Sequence, residues 1–242
     1  MIIIPDVILD KILHYISVCR HRNQCKNLRN ILSNNVYKKL IENKSVIWDS
    51  NDNIIKFSIF CSIPNTSGGW VILKDKEKQK IFFDIKNLES FSELRCFNLC
   101  NTKTFGGLEN IQRLIKLEKF YLNNTNITGE ISDLKPFINL VSFNLGNTII
   151  NGDIYFLINL PKLVDFDLSS TNIYGDIEII NNLLEIKFFR LNNTNVSGSI
   201  NNLILLKELV KCWLNNTRIT GDKYKYYQLR KSKGLQDCKI FL

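Results

Sequence analysis

The chain has 242 residues, of which 45% are hydrophobic, and its formal net charge is +9. This hydrophobic fraction is sufficient for a packed core, and no apolar run approaches the ~20 residues that a membrane-spanning helix requires. The positive excess lies at the two ends of the chain, because residues 94–221 carry 12 Lys and Arg against 11 Asp and Glu. The charge therefore does not predict a basic groove for nucleic acid.

The cysteine content bears on the compartment. Seven cysteines are an odd number, and none of them form a Cys-x-x-Cys pair. Such usage favours free thiols in a reducing environment. We therefore expect the protein to be cytoplasmic.

The N-terminal segment has a helical pattern. Apolar residues recur at helical spacing over residues 4–17, with Pro5 near the first turn, and a second helical pattern runs from Leu28 to Ile41. Together with Trp48 they predict a small helical module over residues 1–50. This stretch resembles an F-box in Ile4-Pro5-Asp6, in the apolar residues that follow, in its basic middle segment and in the terminal Trp48. It departs from the F-box by lacking the usual Val-Cys-Lys/Arg-x-Trp arrangement in the middle.

The F-box resemblance implies that this module docks on a Skp-type adaptor of a cullin ubiquitin ligase. The residues that would supply the apolar docking surface are Pro5, Ile8, Leu9, Ile12 and Leu13. A helical cap over the end of a repeat domain would show the same spaced apolar residues, because such an end has an exposed core. The sequence leaves both interpretations open.

Residues 51–93 are predicted to be a linker and a degenerate first repeat. Residues 54–63 have the composition of a strand, and residues 64–69 have that of a turn. Val71 lies one period of 23 residues before Leu94. The side chains that fall on the apolar positions of this first repeat are Ile85, Leu88 and Phe91. Terminal repeats are often irregular in this way.

Residues 94–221 contain six copies of a 23-residue repeat. The first residues of the copies, which we number position 1, are Leu94, Leu117, Leu140, Leu163, Ile186 and Leu209. Position 4 is Phe in five copies and position 6 is Leu in all six, and these alternate with polar residues, which predicts a short strand with one face inward. Position 9 is always Thr, whose hydroxyl we expect to bond the turn backbone of a neighbouring coil. Position 13 is always Gly, which predicts a turn with positive φ.

This repeat resembles the leucine-rich repeat family, specifically its L-x-G-x-I subclass, although Thr stands where the family usually has Asn. The resemblance covers about half of the chain. It implies an α/β fold in which coils stack into a curved solenoid, with a parallel sheet on the concave side and irregular or helical segments on the convex side.

Residues 222–242 are predicted to form a C-terminal capping repeat. The segment after Gly221 has a helical pattern whose Tyr226 and Leu229 keep to the apolar positions. The signature Leu235-x-x-Cys238-x-Ile240 then repeats the strand pattern after 26 residues instead of 23. We therefore expect a further strand that ends the sheet.

The outward positions 3 and 5 of each strand differ between copies, and they are the candidates for recognition of a partner. Aromatic residues and Arg are frequent interface anchors. The predicted contact residues on the concave face are Tyr121, Asn144, Asp165, Asp167, Phe188, Arg190 and Trp213. Asp165 and Asp167 resemble an acid–base pair, but a solvated role or a pairing with Arg190 is the favoured interpretation.

The motifs predict a non-enzymatic interaction protein. The repeats contain no His that could complete a catalytic set, no cofactor fingerprint and no zinc-ligand spacing, so no catalytic, cofactor or metal site is predicted. We expect a protein partner on the concave sheet and, if the F-box resemblance holds, delivery of that partner to a ubiquitin ligase. The alternative is a scaffold or ligand-binding solenoid without a link to ubiquitin. The abundance of Ile, Asn and Lys is similar to that of F-box and repeat proteins encoded by giant viruses of amoebae, which would place the chain in a host cytoplasm.

Overall fold

The structure, a computed structural model, describes residues 46–50, 54–58, 78–79 and 81–242. Most of the predicted N-terminal module, including Pro5, Ile8, Leu9, Ile12 and Leu13, lies outside these residues. The strands are β1 Val46–Trp48, β2 Ile54–Ser58, β3 Phe82–Asp84, β4 Cys96–Asn98, β5 Lys103–Gly107, β6 Lys119–Tyr121, β7 Asn126–Glu130, β8 Ser142–Asn144, β9 Ile149–Asp153, β10 Asp165–Asp167, β11 Asn172–Asp176, β12 Phe188–Arg190, β13 Asn195–Ser199, β14 Lys211–Trp213, β15 Arg218–Thr220 and β16 Lys239–Phe241. Helix α1 spans Lys223–Ser232.

The strands form two sheets that run along the stacked coils. The nine-stranded sheet, which we call the concave sheet, has the order β1-β2-β4-β6-β8-β10-β12-β14-β16, and all its pairs are parallel except β1 with β2. The second sheet has the order β15-β13-β11-β9-β7-β5-β3 and is parallel throughout. The α/β repeat solenoid is confirmed, whereas the second sheet was not predicted.

Short 3₁₀ helices close the coils on the convex side. They span Ile85–Ser90, Leu108–Ile111, Ile131–Leu134, Ile154–Asn159, Ile177–Asn182 and Ile200–Leu203. Each buries two side chains three residues apart, such as Ile177 and Ile180, because a 3₁₀ helix has three residues per turn. In the part of the chain that the structure describes, no helix is long and apolar enough to cross a membrane.

The position 4 phenylalanines form a continuous stack inside the solenoid. The stacked side chains are Phe97, Phe120, Phe143, Phe166 and Phe189. Neighbouring ring centroids lie 5.5–5.7 Å apart, and the rings are inclined by 13–18°. All five side chains are buried, which confirms the inward face predicted from the alternating pattern.

The position 9 threonines brace their own coils. Thr148 Oγ1, for example, donates to the carbonyl oxygen of Leu145 three residues earlier, at 2.5 Å. The same bond recurs in all six copies, from Thr102, Thr125, Thr148, Thr171, Thr194 and Thr217. The expectation that these hydroxyls bond a neighbouring coil was wrong. The chain turns back between positions 6 and 9, so the carbonyl of the same coil is within reach.

The residues at position 8 occupy this turn, and their side chains form the hydrogen bonds that link neighbouring coils. Its residues Asn101, Asn124, Asn147, Ser170, Asn193 and Asn216 all have φ between 54° and 58°. Asn tolerates this left-handed conformation better than most residues. Asn147 Nδ2 donates to Asn124 Oδ1 at 2.8 Å, and Asn216 Nδ2 donates to Asn193 Oδ1 at 2.7 Å, so that the amides form a ladder from coil to coil.

Ser170 interrupts this amide ladder. It accepts a hydrogen bond from Asn193 Nδ2 at 3.1 Å, but within the described residues it makes no bond to Asn147 on its other side.

Replacing Ser170 with Asn is therefore expected to raise the free energy of unfolding by about 0.5–1.5 kcal/mol, because the longer side chain adds a hydrogen bond and suits positive φ. Urea denaturation would measure the gain. The matched variant Asn147→Ser opens a second gap and should lose stability, and a Ser170→Asn variant no more stable than wild type would contradict the ladder.

Five of the six position 13 glycines lie within strands of the second sheet, and Gly221 directly follows β15. Their φ values range from 107° to 137°, which confirms the predicted left-handed backbone. At Gly152, an added Cβ would stand 3.2 Å from Ile131 Cγ2 in the preceding coil. The missing side chain therefore permits both the backbone conformation and the close approach of neighbouring coils.

Both ends of the solenoid depart from the predicted register. At the N-terminal end, Lys56 pairs with Cys96, so this coil spans 40 residues (96 − 56) and opens at Ile54 in β2. The predicted opening at Val71 lies outside the described residues, and Ile85, Leu88 and Phe91 are fully buried as expected. The coil exceeds the 23-residue period by 17 residues (40 − 23), which the repeat pattern cannot reveal.

At the C-terminal end an α-helix replaces the 3₁₀ helix. Because α1 has 3.6 residues per turn, it buries residues four apart, and these are Tyr226 and Arg230. Leu229, which was predicted to be apolar core, remains 42% exposed. The following strand pairs Ile240 with Cys212, 28 residues apart (240 − 212), instead of the predicted 26.

Candidate binding face

The outward side chains of the concave sheet lie in two straight rows, since the strands pair in register. The position 3 row is Lys56, Cys96, Lys119, Ser142, Asp165, Phe188, Lys211 and Lys239. The position 5 row is Asn98, Tyr121, Asn144, Asp167, Arg190, Trp213 and Phe241. All seven predicted contact residues lie in these rows, so the structure brings them together on one face. Their contact with a partner stays a prediction.

One end of the position 5 row is an aromatic and cationic stack. Trp213 stacks on Phe241 with ring centroids 5.4 Å apart and an angle of 8°, and the Arg190 guanidinium lies 4.2 Å from the Trp213 ring centroid. Trp213 is therefore half-buried. Both of its ring faces are occupied, so a partner can reach only the outer edge of the ring and the exposed part of Phe241. The sequence missed Phe241 because the predicted register of the last coil was two residues off.

Two polar members of the position 5 row also hold the turn that follows each strand. Asn144 Oδ1 accepts from the Gly146 amide at 2.9 Å, and Asp167 Oδ1 accepts from the Ser169 amide at 2.9 Å and its hydroxyl at 2.6 Å. These are side-chain turns of the kind that Asn and Asp favour. For a partner, Asn144 therefore offers mainly its amide nitrogen, and Asp167 mainly Oδ2, which lies 4.0 Å from Arg190 Nη1.

Asp165 is the one side chain in the centre of the face whose polar atoms are not fully satisfied. Its Oδ1 is buried and has no hydrogen-bond partner among the described residues. The neighbouring Ser142 hydroxyl lies 3.3 Å from Tyr121 Oη. Burial raises the pKa of Asp165, and the charge on Asp167 raises it further, while Arg190 and a hydrogen bond with Ser142 lower it. Asp165 is thus a partly dehydrated carboxylate without a full set of donors.

The raised pKa of Asp165 predicts a pH-dependent cost to stability. The folded protein holds this proton more tightly than the unfolded chain, so stability falls as the pH rises from the ordinary carboxyl pKa through the raised pKa, and the full cost is present above it. Asp165→Asn is therefore expected to raise the melting temperature at pH 7. The gain should vanish as the pH falls below the ordinary carboxyl pKa of 3.8, where both states are protonated. Melting curves against pH would show this, with Asp237→Asn as an exposed control; a loss of stability in Asp165→Asn at pH 7 would contradict it.

Other features of the described residues do not form a second chemical site. No group of three His, Cys, Asp or Glu side chains in these ranges is arranged to hold a metal ion. Cys96, Cys100, Cys212 and Cys238 are free thiols, and burial raises the pKa of Cys96 and of Cys100, the latter to about 11. A raised thiol pKa lowers the thiolate fraction, which makes these two cysteines poor nucleophiles at neutral pH.

Comparison with solved structures identifies the fold. The plant peptide hormone receptor RGFR1 in complex with RGF2 is similar over 65% of this chain and 26% of that chain, with 21% identity and a TM-score of 0.54. A leucine-rich repeat protein of Leptospira interrogans is similar over 64% of this chain and 39% of that chain, with 18% identity and a TM-score of 0.54. The leucine-rich repeat ectodomain of the receptor kinase GASSHO1/SCHENGEN3 from Arabidopsis thaliana, in complex with CASPARIAN STRIP INTEGRITY FACTOR 2, is similar over 55% of this chain and 17% of that chain, with 21% identity and a TM-score of 0.50.

These similarities extend over only part of each neighbouring protein. The chain spans less than two fifths of the length of each of these three proteins, and its sequence matches no known family model. No curated protein matches it in sequence either. The neighbours therefore show that the chain has the leucine-rich repeat fold. At sequence identities of 18–21%, the similarity supports a shared fold only.

Proposed function

We propose that this leucine-rich repeat chain is a non-enzymatic protein-interaction module whose concave sheet recognises a segment of another protein. The observation that carries the proposal is the arrangement of outward side chains in two rows along that sheet, whose strands pair in register. Tyr121, Phe188 and Trp213 lie half-buried in these rows, on a backbone fixed by the buried phenylalanine stack and by hydrogen bonds to both neighbouring strands. Aromatic side chains held on a rigid surface bind with little loss of conformational entropy.

The solved neighbours support this proposal. Two of the three were determined with a second molecule bound, RGF2 in one case and CASPARIAN STRIP INTEGRITY FACTOR 2 in the other. A solenoid exposes a long, regular surface in proportion to its length, which suits recognition of an extended partner. We place this recognition in the cytoplasm because of the cysteine usage, and localisation of the tagged protein in its native cell would test that placement.

Substitution of outward aromatic residues tests which face binds. The partner recovered by affinity purification from the native host would be offered to Tyr121→Ser/Phe188→Ser on the concave sheet. The matched control is Phe105→Ser/Tyr174→Ser, because these two aromatic residues are exposed on the second sheet. We expect at least a tenfold loss of capture in the concave variant and unchanged capture in the control. Unchanged capture by a folded concave variant would refute the proposed face.

We further infer that residues 1–50 act as an F-box and link the captured protein to a ubiquitin ligase. The support is the Ile4-Pro5-Asp6 start and the spaced apolar residues that follow it. A purified Skp-type adaptor should bind the full chain, and Ile8→Asp/Leu9→Asp should abolish binding while capture of the concave partner persists. If the folded wild-type chain does not bind the adaptor, the alternative holds, in which the solenoid is a scaffold or ligand-binding protein without a ubiquitin link.

A further inference from the structure

The position 3 row carries alternating charge at regular intervals. Along five consecutive strands, β6 to β14, it contains Lys119, Ser142, Asp165, Phe188 and Lys211. Neighbouring strands of a sheet are ~4.8 Å apart, so each lysine is about 10 Å from the central carboxylate along the row. The row therefore presents a positive, a negative and a positive group at equal spacing.

Among the described residues, no cation forms an ion pair with the central carboxylate. Arg190 acts electrostatically on Asp165, but its guanidinium lies 4.2 Å from the Trp213 ring centroid and 4.0 Å from Asp167 Oδ2. Asp165 Oδ1 is buried without a donor. Because Oδ1 is closed to solvent, a partner would approach the carboxylate through the part of Asp165 that stays exposed, and a guanidinium or ammonium group is the donor that best complements its charge.

The two flanking lysines have unused donors. Lys119 is exposed and Lys211 is half-buried, and neither forms an ion pair with any residue that the structure describes. Elsewhere on the solenoid, cations do pair across neighbouring coils, as Arg95 does with Glu118. Lys119 and Lys211 instead have Ser142 and Phe188 as their inner neighbours in the row, which offer no negative charge. Carboxylates from a partner would complement both.

The spacing between the charged side chains of the position 3 row indicates which backbone conformation the partner has. In a polyproline II helix every third residue points the same way, and three residues advance about 9.3 Å, close to two strand steps of ~9.6 Å. In a β-strand, residues three apart point to opposite sides. In an α-helix the matching residues are seven apart and advance about 10.5 Å, which accumulates a larger mismatch over the row.

We propose that the concave face binds a polyproline II segment lying along the row, with a Lys or Arg on Asp165 and Asp or Glu three residues to either side on Lys119 and Lys211. This inference rests on the proposed function, since it names the partner class of the same face. The intervening positions suit proline, because Tyr121, Phe188 and the edge of Trp213 provide aromatic surface beside the row. Proline-rich segments dock on such aromatic surface with little loss of entropy.

Fluorescein-labelled synthetic peptides test the charge order. The matching peptide is Pro-Glu-Pro-Pro-Arg-Pro-Pro-Glu-Pro, and a scrambled peptide of the same composition, Pro-Pro-Glu-Glu-Arg-Pro-Pro-Pro-Pro, has no Glu three residues from the Arg. Fluorescence anisotropy at low salt should show at least tenfold tighter binding of the matching peptide. Raising the salt should weaken it, because exposed charges are screened. Equal binding of the two peptides, or no binding of either, would overturn the proposed spacing.

Charge reversal on the protein provides the second arm. In the triple variant Lys119→Glu/Asp165→Lys/Lys211→Glu, preference should switch to Pro-Arg-Pro-Pro-Glu-Pro-Pro-Arg-Pro. If the triple variant does not fold, Asp165→Asn alone should weaken the matching peptide at least fivefold. An alanine-based helical peptide with the same charges seven residues apart should bind more weakly than the matching peptide, and tighter binding would refute the polyproline II conformation.

Failure of the polyproline II proposal can be distinguished from failure of the proposed function. If the natural partner is lost by Tyr121→Ser/Phe188→Ser but none of the charge predictions hold, the face is a binding face and the charge pattern is wrong. If capture of the natural partner survives in that concave variant, the proposed function itself fails.

Discussion

Replacing Phe143 with Ala is expected to lower the free energy of unfolding by about 3–5 kcal/mol. Phe143 is 1% exposed, and its ring lies between those of Phe120 and Phe166 at 5.6 and 5.7 Å. The surrounding backbone cannot collapse into the cavity, because β8 is hydrogen-bonded to β6 and β10 on either side. The loss therefore includes both the transfer of the side chain and the cavity left behind.

Urea denaturation followed by circular dichroism would measure this loss. Phe188→Ala is the matched control, since Phe188 lies on the outward side of β12 and is only half-buried, so its removal should cost much less. A Phe143→Ala variant within 1 kcal/mol of wild type would contradict the inward stack. Because Phe143 lies in the third of six regular copies, its loss also weakens the interfaces with both neighbouring coils. The transition should then broaden as the two halves of the solenoid unfold less cooperatively.

The interior of the regular coils could be predicted from the sequence, because identical positions must solve the same packing problem in each coil. Position 4 is Phe in five of the six copies and position 6 is Leu in all six, so the constraint is visible when the copies are aligned. The second sheet was less visible for a physical reason. Five of its strands contribute one buried side chain, such as Ile150 in β9, followed two residues later by a glycine, and this alternation is too short to distinguish from a turn.

The ends could not be predicted in the same way, because there the period breaks. The first coil contains 17 extra residues, and the last coil replaces a 3₁₀ helix with α1, which shifts the buried position from Leu229 to Arg230. For the binding face, the register of the rows followed from the repeat. The chemistry of its central residue did not, because the unpaired state of Asp165 depends on which way the Arg190 side chain turns.

Arg230→Met is expected to destabilise the C-terminal end of the solenoid by about 3–5 kcal/mol. Arg230 is fully buried, yet the described residues place no carboxylate within ion-pair distance of it. Its guanidinium donates to the carbonyl oxygens of Ile204 at 3.2 Å, Leu206 at 3.0 Å and Gln236 at 2.9 Å. Met fills a similar volume but has no donor, so the buried carbonyls of Ile204 and Leu206 and the partly buried carbonyl of Gln236 lose the hydrogen bonds from Arg230.

The control for Arg230→Met is Lys231→Met, because Lys231 is the exposed neighbour in the same turn of α1 and its replacement changes the net charge equally. Urea denaturation should separate the two variants, and hydrogen exchange should show the loss of protection concentrated in residues 200–242. Arg230→Lys should fall between them, because one ammonium group cannot reach carbonyls from both the coil and the segment after α1. If Arg230→Met and Lys231→Met are equally stable, the three carbonyls have water as a partner in solution. The C-terminal coil would then be closed by Tyr226 and the apolar core, and not by a buried charge.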